Sequence, residues 1–259
     1  MITIKTDAEI ELLRQCNLLV SATHAAIVPF MKPGMKTEQI DHFAEEFIRD
    51  NGAIPGFKGY QGYPSSLCIS VNDQVVHGIP AKTELKEGDI VSVDCGVYMN
   101  GFHGDSAFTY EVGEVSVEAK KLMKVTRESL FFGIENAVVG KHIGDIGHAV
   151  QSHAERHGFS VVREMVGHGV GRNLHEAPEV PNYGRKGSGS KLKNGMVIAI
   201  EPMINMGQRF IFQEKDGWTI CTSDGSMSAH FEHSVVILQG KADILSDFSI
   251  IDEAIKKIG

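Results

Sequence analysis

Parts of this 259-residue chain occur twice, and that constrains its fold more than any other feature. Leu85-Lys86-Glu87-Gly88 and the apolar run from it to Asp94 match Leu192-Lys193-Asn194-Gly195 and the run to Glu201, at an offset of 107. Upstream, Gly34, Ile40, His42 and Gly52 match Gly140, Ile146, His148 and Gly158 at an offset of 106. Two blocks at nearly one spacing imply internal duplication. The competing reading is coincidence between two common strand-opening turns. The expected halves are residues 1–112 and 113–240, packed about one shared core as a single domain over 1–259, with 241–259 as a tail.

Hydrophobic periodicity gives helices followed by strands, and gives that order twice. Residues 6–28 read as an amphipathic helix: Thr6 and Glu9 have capping-box spacing, and Ile10, Leu13, Cys16 and Val20 recur at helical intervals. Thr37 is the expected cap of a second helix with Ile40, Phe43, Ala44 and Phe47 on one face, ending near Asn51-Gly52. Residues 53–66 are rich in Gly, Pro and Tyr and read as loop, before strands near 67–71, 90–98 and 105–112. Helices are expected over 117–138 and 143–157, a Gly-rich stretch over 167–189, and strands near 196–204, 209–213, 218–222 and 232–238. The class is α/β in the α+β sense.

In SVDCGVYMNGFHGDSAF, residues 92–108, two apolar strands flank a Met-Asn-Gly turn, and each carries an aspartate, Asp94 and Asp105. Aspartate is depleted from strands and costly to bury alone. The duplication sets Glu201 opposite Asp94, and the second half has a further acid in FEHSVVIL, Glu232. Residues two apart share a strand face, and there Ser92, Ala107, Ala199 and Ser234 leave room beside the four acids. If the halves bring these acids together, each like pair at 4 Å repels by ~4 kcal/mol at an effective dielectric near 20. Two divalent cations would neutralise the set, so metal ligation explains acids in strands. The plainer alternative is acids at strand ends, paired with lysines or solvent.

Histidines extend the pattern. His168 lies between glycines in VGHGVGRNLHEAP, His175 follows, and His77 ends an apolar run in VVHGIP. A neutral imidazole is a common metal ligand, and a second one can donate a hydrogen bond. Other motifs fail. His175-Glu176 begins like H-E-x-x-H, but Ala177-Pro178 breaks both motif and helix. His153 and His157 stand four apart without a carboxylate base and read as a solvated helix face. No nucleotide-binding glycine loop or G-x-S-x-G elbow occurs. A net charge of −8 argues against nucleic acid or an anionic membrane as partner. No apolar run reaches membrane-span length, MITIKTDAEI does not read as a signal peptide, and four scattered cysteines suit a reducing, cytoplasmic setting.

The ordered series Asp94, Asp105, His168, Glu201, Glu232 resembles the five metal ligands of the dinuclear pita-bread metallopeptidases. The surrounding GYQGYPSSLCISVNDQVVHGIP, EGDIVSVDCG, NGFHGDSA, GHGVGRNLHEAP, GMVIAIEPM and FEHSVV are similar to type I methionine aminopeptidases, from about residue 3 to 240. No large insertion splits the second half, unlike type II enzymes, and the zinc-finger extension of longer type I members is not expected. The resemblance implies a curved antiparallel sheet flanked by helices in two pseudo-symmetric halves. It implies two divalent metal ions (Co, Mn, Fe(II) or Zn): Asp94 on one, Asp105 and Glu232 bridging, His168 and Glu201 completing the other. A water activated by the metals would be the nucleophile, with Glu201 as general base. His77 and His175 would contact substrate and stabilise the oxyanion, and Tyr60, Tyr63, Cys68, Leu174 and Trp218 would form the methionine pocket. Phe57 replaces a cysteine found in some relatives and Leu174 an aromatic found in others, changes expected to retune the pocket without removing specificity, and His230 stands where a glutamine is usual, with no role assigned. The activity implied is removal of initiator methionine from nascent chains when the next residue is small and uncharged. A cytoplasmic monomer is expected, with transient ribosome contact. A related Xaa-Pro aminopeptidase or prolidase, and a non-catalytic binding module on the same fold, are the alternatives.

Overall fold

The computed structural model describes residues 2–258. The first half contains helices α1 (Asp7–Ile27) and α2 (Thr37–Asp50) and strands β1 (Ile54–Pro55), β2 (Leu67–Val71), β3 (Gln74–Val76), β4 (Ile90–Met99) and β5 (Phe102–Glu111). The second begins with α3 (Val117–Glu135) and α4 (Ile143–Arg156), followed by β6 (Ser160–Val161), β7 (Gly167–Gly169) and β8 (Glu176–Val180). Then come β9 (Val197–Ile200), β10 (Met203–Asn205), β11 (Ile211–Gln213), β12 (Ile220–Thr222), β13 (Ser228–His230) and β14 (His233–Val236). The chain closes with β15 (Asp243–Ile244) and α5 (Ser249–Ile258).

Local chemistry accounts for most of these boundaries. Thr6 and Glu9 form the capping box that opens α1. Asn100 and Gly101, with φ of 55° and 83°, make the β4–β5 hairpin turn, where positive φ matches the twist of the strands. Thr37 does not cap α2. Its hydroxyl bonds both backbone groups of Ala81, at 3.0 and 2.9 Å, and Lys36 holds the cap position instead. The buried face of α2 is Ile40, Ala44 and Ile48, with Phe43 and Phe47 on its flank. Within the expected loop 53–66, β1 forms a short edge beside β4.

Three further features go beyond the sequence expectations. The strand expected over 196–204 divides at Glu201-Pro202, because proline lacks the N–H a ladder needs. β9 and β10 therefore enter different sheets, with Glu201 at the break. The expected Gly-rich stretch contains β7 and β8. The expected tail is ordered: β15 pairs with β14, α5 buries Ile251, and Arg127 grips Asp252 through two bonds of 2.9 and 2.6 Å.

Contacts recur at the spacing of the sequence matches. Gly34 N–H donates to the Leu85 carbonyl, and Gly140 N–H to the Leu192 carbonyl. Isolated bridges join Lys36 to Glu84 and His142 to Lys191. Gly52 and Gly158 each turn the chain out of a helix at positive φ, 76° and 86°. One buried apolar cluster takes Ile40 and Val93 from the first half and Ile146, Ile198 and Val235 from the second. Among the described residues, no helix is long and apolar enough to cross a membrane.

Candidate metal centre

The β4–β5 register sets Asp94 opposite Ala107 and Gly96 opposite Asp105, so both carboxylates lie diagonally on one sheet face. The second half is fastened alongside. Glu232 N–H donates to the Ala107 carbonyl at 2.9 Å. Ser106 Oγ donates to the Glu232 carbonyl at 2.6 Å, and Ser234 Oγ to the Asp105 carbonyl at 2.9 Å. These bonds bring Glu232 beside Asp105. β14 also pairs with β9, whose last residue precedes Glu201, and the Glu201 carbonyl accepts from Asn182 Nδ2 at 2.9 Å. His168 is delivered by β7, whose flanking glycines are sterically required. A Cβ at Gly167 would lie 2.4 Å from the Ala199 carbonyl oxygen, and one at Gly169 the same distance from that of Ala177.

The side chains converge. His168 Nε2 lies 3.6 Å from Asp105 Oδ2 and 3.6 Å from Glu201 Oε1. His168 Nδ1–H donates to the Gly169 carbonyl at 2.8 Å, which leaves the lone pair on Nε2, facing the acids. Burial holds this imidazole neutral, with its pKa lowered to about 3. Burial raises Asp94 to about 7, and burial with repulsion from neighbouring acids holds Asp105, Glu201 and Glu232 well above the usual range. Asp94 Oδ1, Asp105 Oδ1 and Glu232 Oε1 are buried without a hydrogen-bond partner. Buried acceptors with no donor are rare and costly, and divalent cations would satisfy them. Asp105, His168 and Glu232 could hold one ion between them. The donor set fits: hard carboxylates with a borderline imidazole. The nearby Cys68 and Cys95 thiols are pushed well up by burial and stay protonated.

The acids line a cavity of about 290 Å³ with an apolar wall. Phe57, Tyr63, Cys68 and Leu174 form a buried cluster, with Tyr60 and Trp218 packed against it, so the five expected pocket residues stand together. His175 Nδ1 and the Tyr60 hydroxyl share a hydrogen bond of 2.7 Å, and the His175 ring meets His168 edge-on at 4.2 Å. His77 also lines the cavity at a left-handed φ of 60°, a sparsely populated conformation for a side-chain-bearing residue. A larger cavity, about 630 Å³, lies between α3 and α5 and contains none of the expected site residues.

His153 takes no part: its Nε2 lies 3.0 Å from Glu128, and its ring packs on Phe132 and His157. It is partly buried and paired, which corrects the expected solvated face. Glu176 sits in strand β8 and pairs with Lys5 at 2.6 Å. Sequence reasoning gave no role to His230 or Met203, which the structure brings to the acids or the cavity.

The model of metallopeptidase family M24 matches residues 11–239. The chain belongs to that family. It is 52% identical over 246 residues to the methionine aminopeptidase of Clostridium perfringens, covering 95% of this chain and 99% of the relative. It is 49% identical to methionine aminopeptidase 1 of Bacillus subtilis, with the same shares covered. The crystal structure of methionine aminopeptidase from Rickettsia prowazekii superposes with a TM-score of 0.94 at 41% identity, covering 95% of this chain and all of that one. The mixed helix and antiparallel-sheet architecture is thus the pita-bread fold. The prolidase from Pyrococcus furiosus, with TM-score 0.76 at 22% identity over 94% of this chain and 65% of its own, shares the fold alone. M24 membership agrees with a centre built for divalent metal.

Proposed function

We propose that this chain is a metal-dependent methionine aminopeptidase that removes initiator methionine from nascent proteins when the second residue is small and uncharged. One observation carries the reading: acids with unpartnered buried oxygens line the same cavity as a wall of aromatic and apolar side chains. A substrate's α-ammonium group is drawn to the acids, and its thioether side chain suits the aromatic wall. Asp94, Asp105, His168, Glu201 and Glu232 would hold two ions, and Co, Mn, Fe(II) and Zn all suit these donors. When bound, the ions would supply Lewis acidity towards the scissile carbonyl and make water acidic near neutral pH.

The chain's own groups do the rest. Glu201, just beyond the end of β9, shuttles a proton from water towards the leaving amine. His77 and His175 line the cavity and donate to the carbonyl oxygen as negative charge develops there. Tyr60 positions His175. The halves 1–112 and 113–240 act as one catalytic domain. The enzyme works as a monomer in the cytoplasm, which suits its four free, buried cysteines, and meets new chains through transient ribosome contact.

Release of methionine from Met-Ala peptides, compared with cleavage of Ala-Pro peptides, tests the assignment. Methionine release abolished by His168→Ala and Glu201→Ala, and retained in His153→Ala, is the expected result. Cleavage of Ala-Pro alone would replace it with the Xaa-Pro reading.

A further inference from the structure

His230 lies on β13, two residues before Glu232, and is almost wholly buried. Its backbone is held by Thr109, which accepts from the His230 N–H at 3.0 Å and donates to its carbonyl at 2.7 Å. Its Nε2 has no hydrogen-bond partner. That nitrogen lies 3.9 Å from Glu201 Oε2 and 3.9 Å from Glu232 Oε2. A hydrogen bond to either oxygen would need a separation below about 3.2 Å. Two donors that each sit ~2.1 Å from one ion can stand up to about 4.2 Å apart, so 3.9 Å suits a shared cation. Glu201 is placed between two imidazoles: Oε1 faces His168 and Oε2 faces His230.

We infer that His230 is a further metal ligand, forming with Glu201 and Glu232 a cation position that adds a second imidazole to the centre. The inference rests on the proposed metallopeptidase reading and extends its ligand set. Chemically it moves the centre's preference. Imidazole favours later first-row ions, so this position selects Fe(II), Co(II) or Zn(II) over Mn(II) more strongly than carboxylates alone would.

Cobalt tests it without reference to turnover. Chelator-stripped protein is loaded with Co(II), and proton NMR spectra are recorded in H2O and in D2O. The ring N–H of a cobalt-bound histidine gives a strongly shifted resonance that disappears on exchange. Two such resonances are expected in the unaltered protein, one from His168 and one from His230, and a single one in His230→Gln. In metal competition, His230→Gln is expected to lose about tenfold or more in Co(II) affinity relative to Mn(II). One shifted N–H in the unaltered protein overturns the inference and leaves the metal centre standing, and that count holds even if the variant does not fold. No shifted resonance at saturating cobalt overturns both.

Discussion

Stripping the metal should make this protein more stable as pH falls from about 8 to about 6.5, the reverse of the usual behaviour of a protein rich in paired carboxylates. The folded chain holds Asp94 near 7 where the ordinary value is 3.8, and Asp105, Glu201 and Glu232 well above theirs. In this window the unfolded chain has these carboxylates ionised, so the folded state binds more protons and gains stability as they become available. For Asp94 the gain across the window is about 0.8 kcal/mol, given a folded pKa near 7. Each other acid that keeps its proton throughout adds about 1.4 kcal/mol per pH unit, or about 2 kcal/mol in all. The buried histidines oppose this within the window: an unfolded histidine is about half protonated at pH 6.5 while the folded ones stay neutral, and each costs about 0.4 kcal/mol, so the net gain must come from the acids other than Asp94. Below it the opposition grows: His24, His77, His103, His168, His230 and His233 are lowered by burial and stay neutral while the unfolded chain takes up protons, so the curve turns over. With Mn(II) or Co(II) bound, the carboxylates stay ionised in both states, only the histidines contribute, and the slope should reverse. Urea unfolding of chelated and loaded protein at the two pH values, at one ionic strength, measures both slopes. A chelated protein no more stable at about pH 6.5 than at about pH 8 would refute the picture of unpaired acids confined together.

Other perturbations probe the surrounding structure. In Gly96→Ala the new Cβ would fall 2.5 Å from Phe57 Cε1, forcing the ring towards the cavity. The expected outcome is a loss of about 1–3 kcal/mol in urea unfolding and a raised KM for methionyl peptides, with cobalt uptake unchanged. Tyr60→Phe removes the 2.7 Å partner of His175 and should lower kcat about fivefold with little change in KM. Ser106→Ala deletes the buried 2.6 Å bond to the Glu232 carbonyl and should destabilise by about 1–3 kcal/mol, and an unchanged urea midpoint would show that this bond does not hold the halves together.

The legible parts of the sequence were those governed by local rules. The Thr6–Glu9 cap, the Asn100-Gly101 turn and the repeated strand-opening turns each depend on neighbouring residues, and each is in the structure. Asp94, Asp105, Glu201 and Glu232 stood out because acids in apolar strands are costly, and the structure brings all four to one cavity. Long-range pairing was not legible. Thr37 has cap chemistry, but Ala81 takes its hydroxyl from 44 residues away. β15 and α5 are too short and mixed in pattern to reveal that β14, α1 and Arg127 wait for them. Phe57 lies in an aperiodic stretch, and only the space above Gly96 explains its place. His230 resisted reading because its partners, Glu201 and Thr109, come from other strands.

The bonds from Ser106 and Ser234 that fasten the two halves also set a timetable for biosynthesis. Glu232 cannot reach Asp105 until nearly the whole chain has been translated and β14 has docked along β5. At the proposed centre metal capture would therefore be a late event, unable to template the early collapse of the N-terminal half. A cell short of the right ion at that moment would accumulate a folded precursor that still awaits activation, and its supply of working enzyme would track metal homeostasis rather than the rate of synthesis.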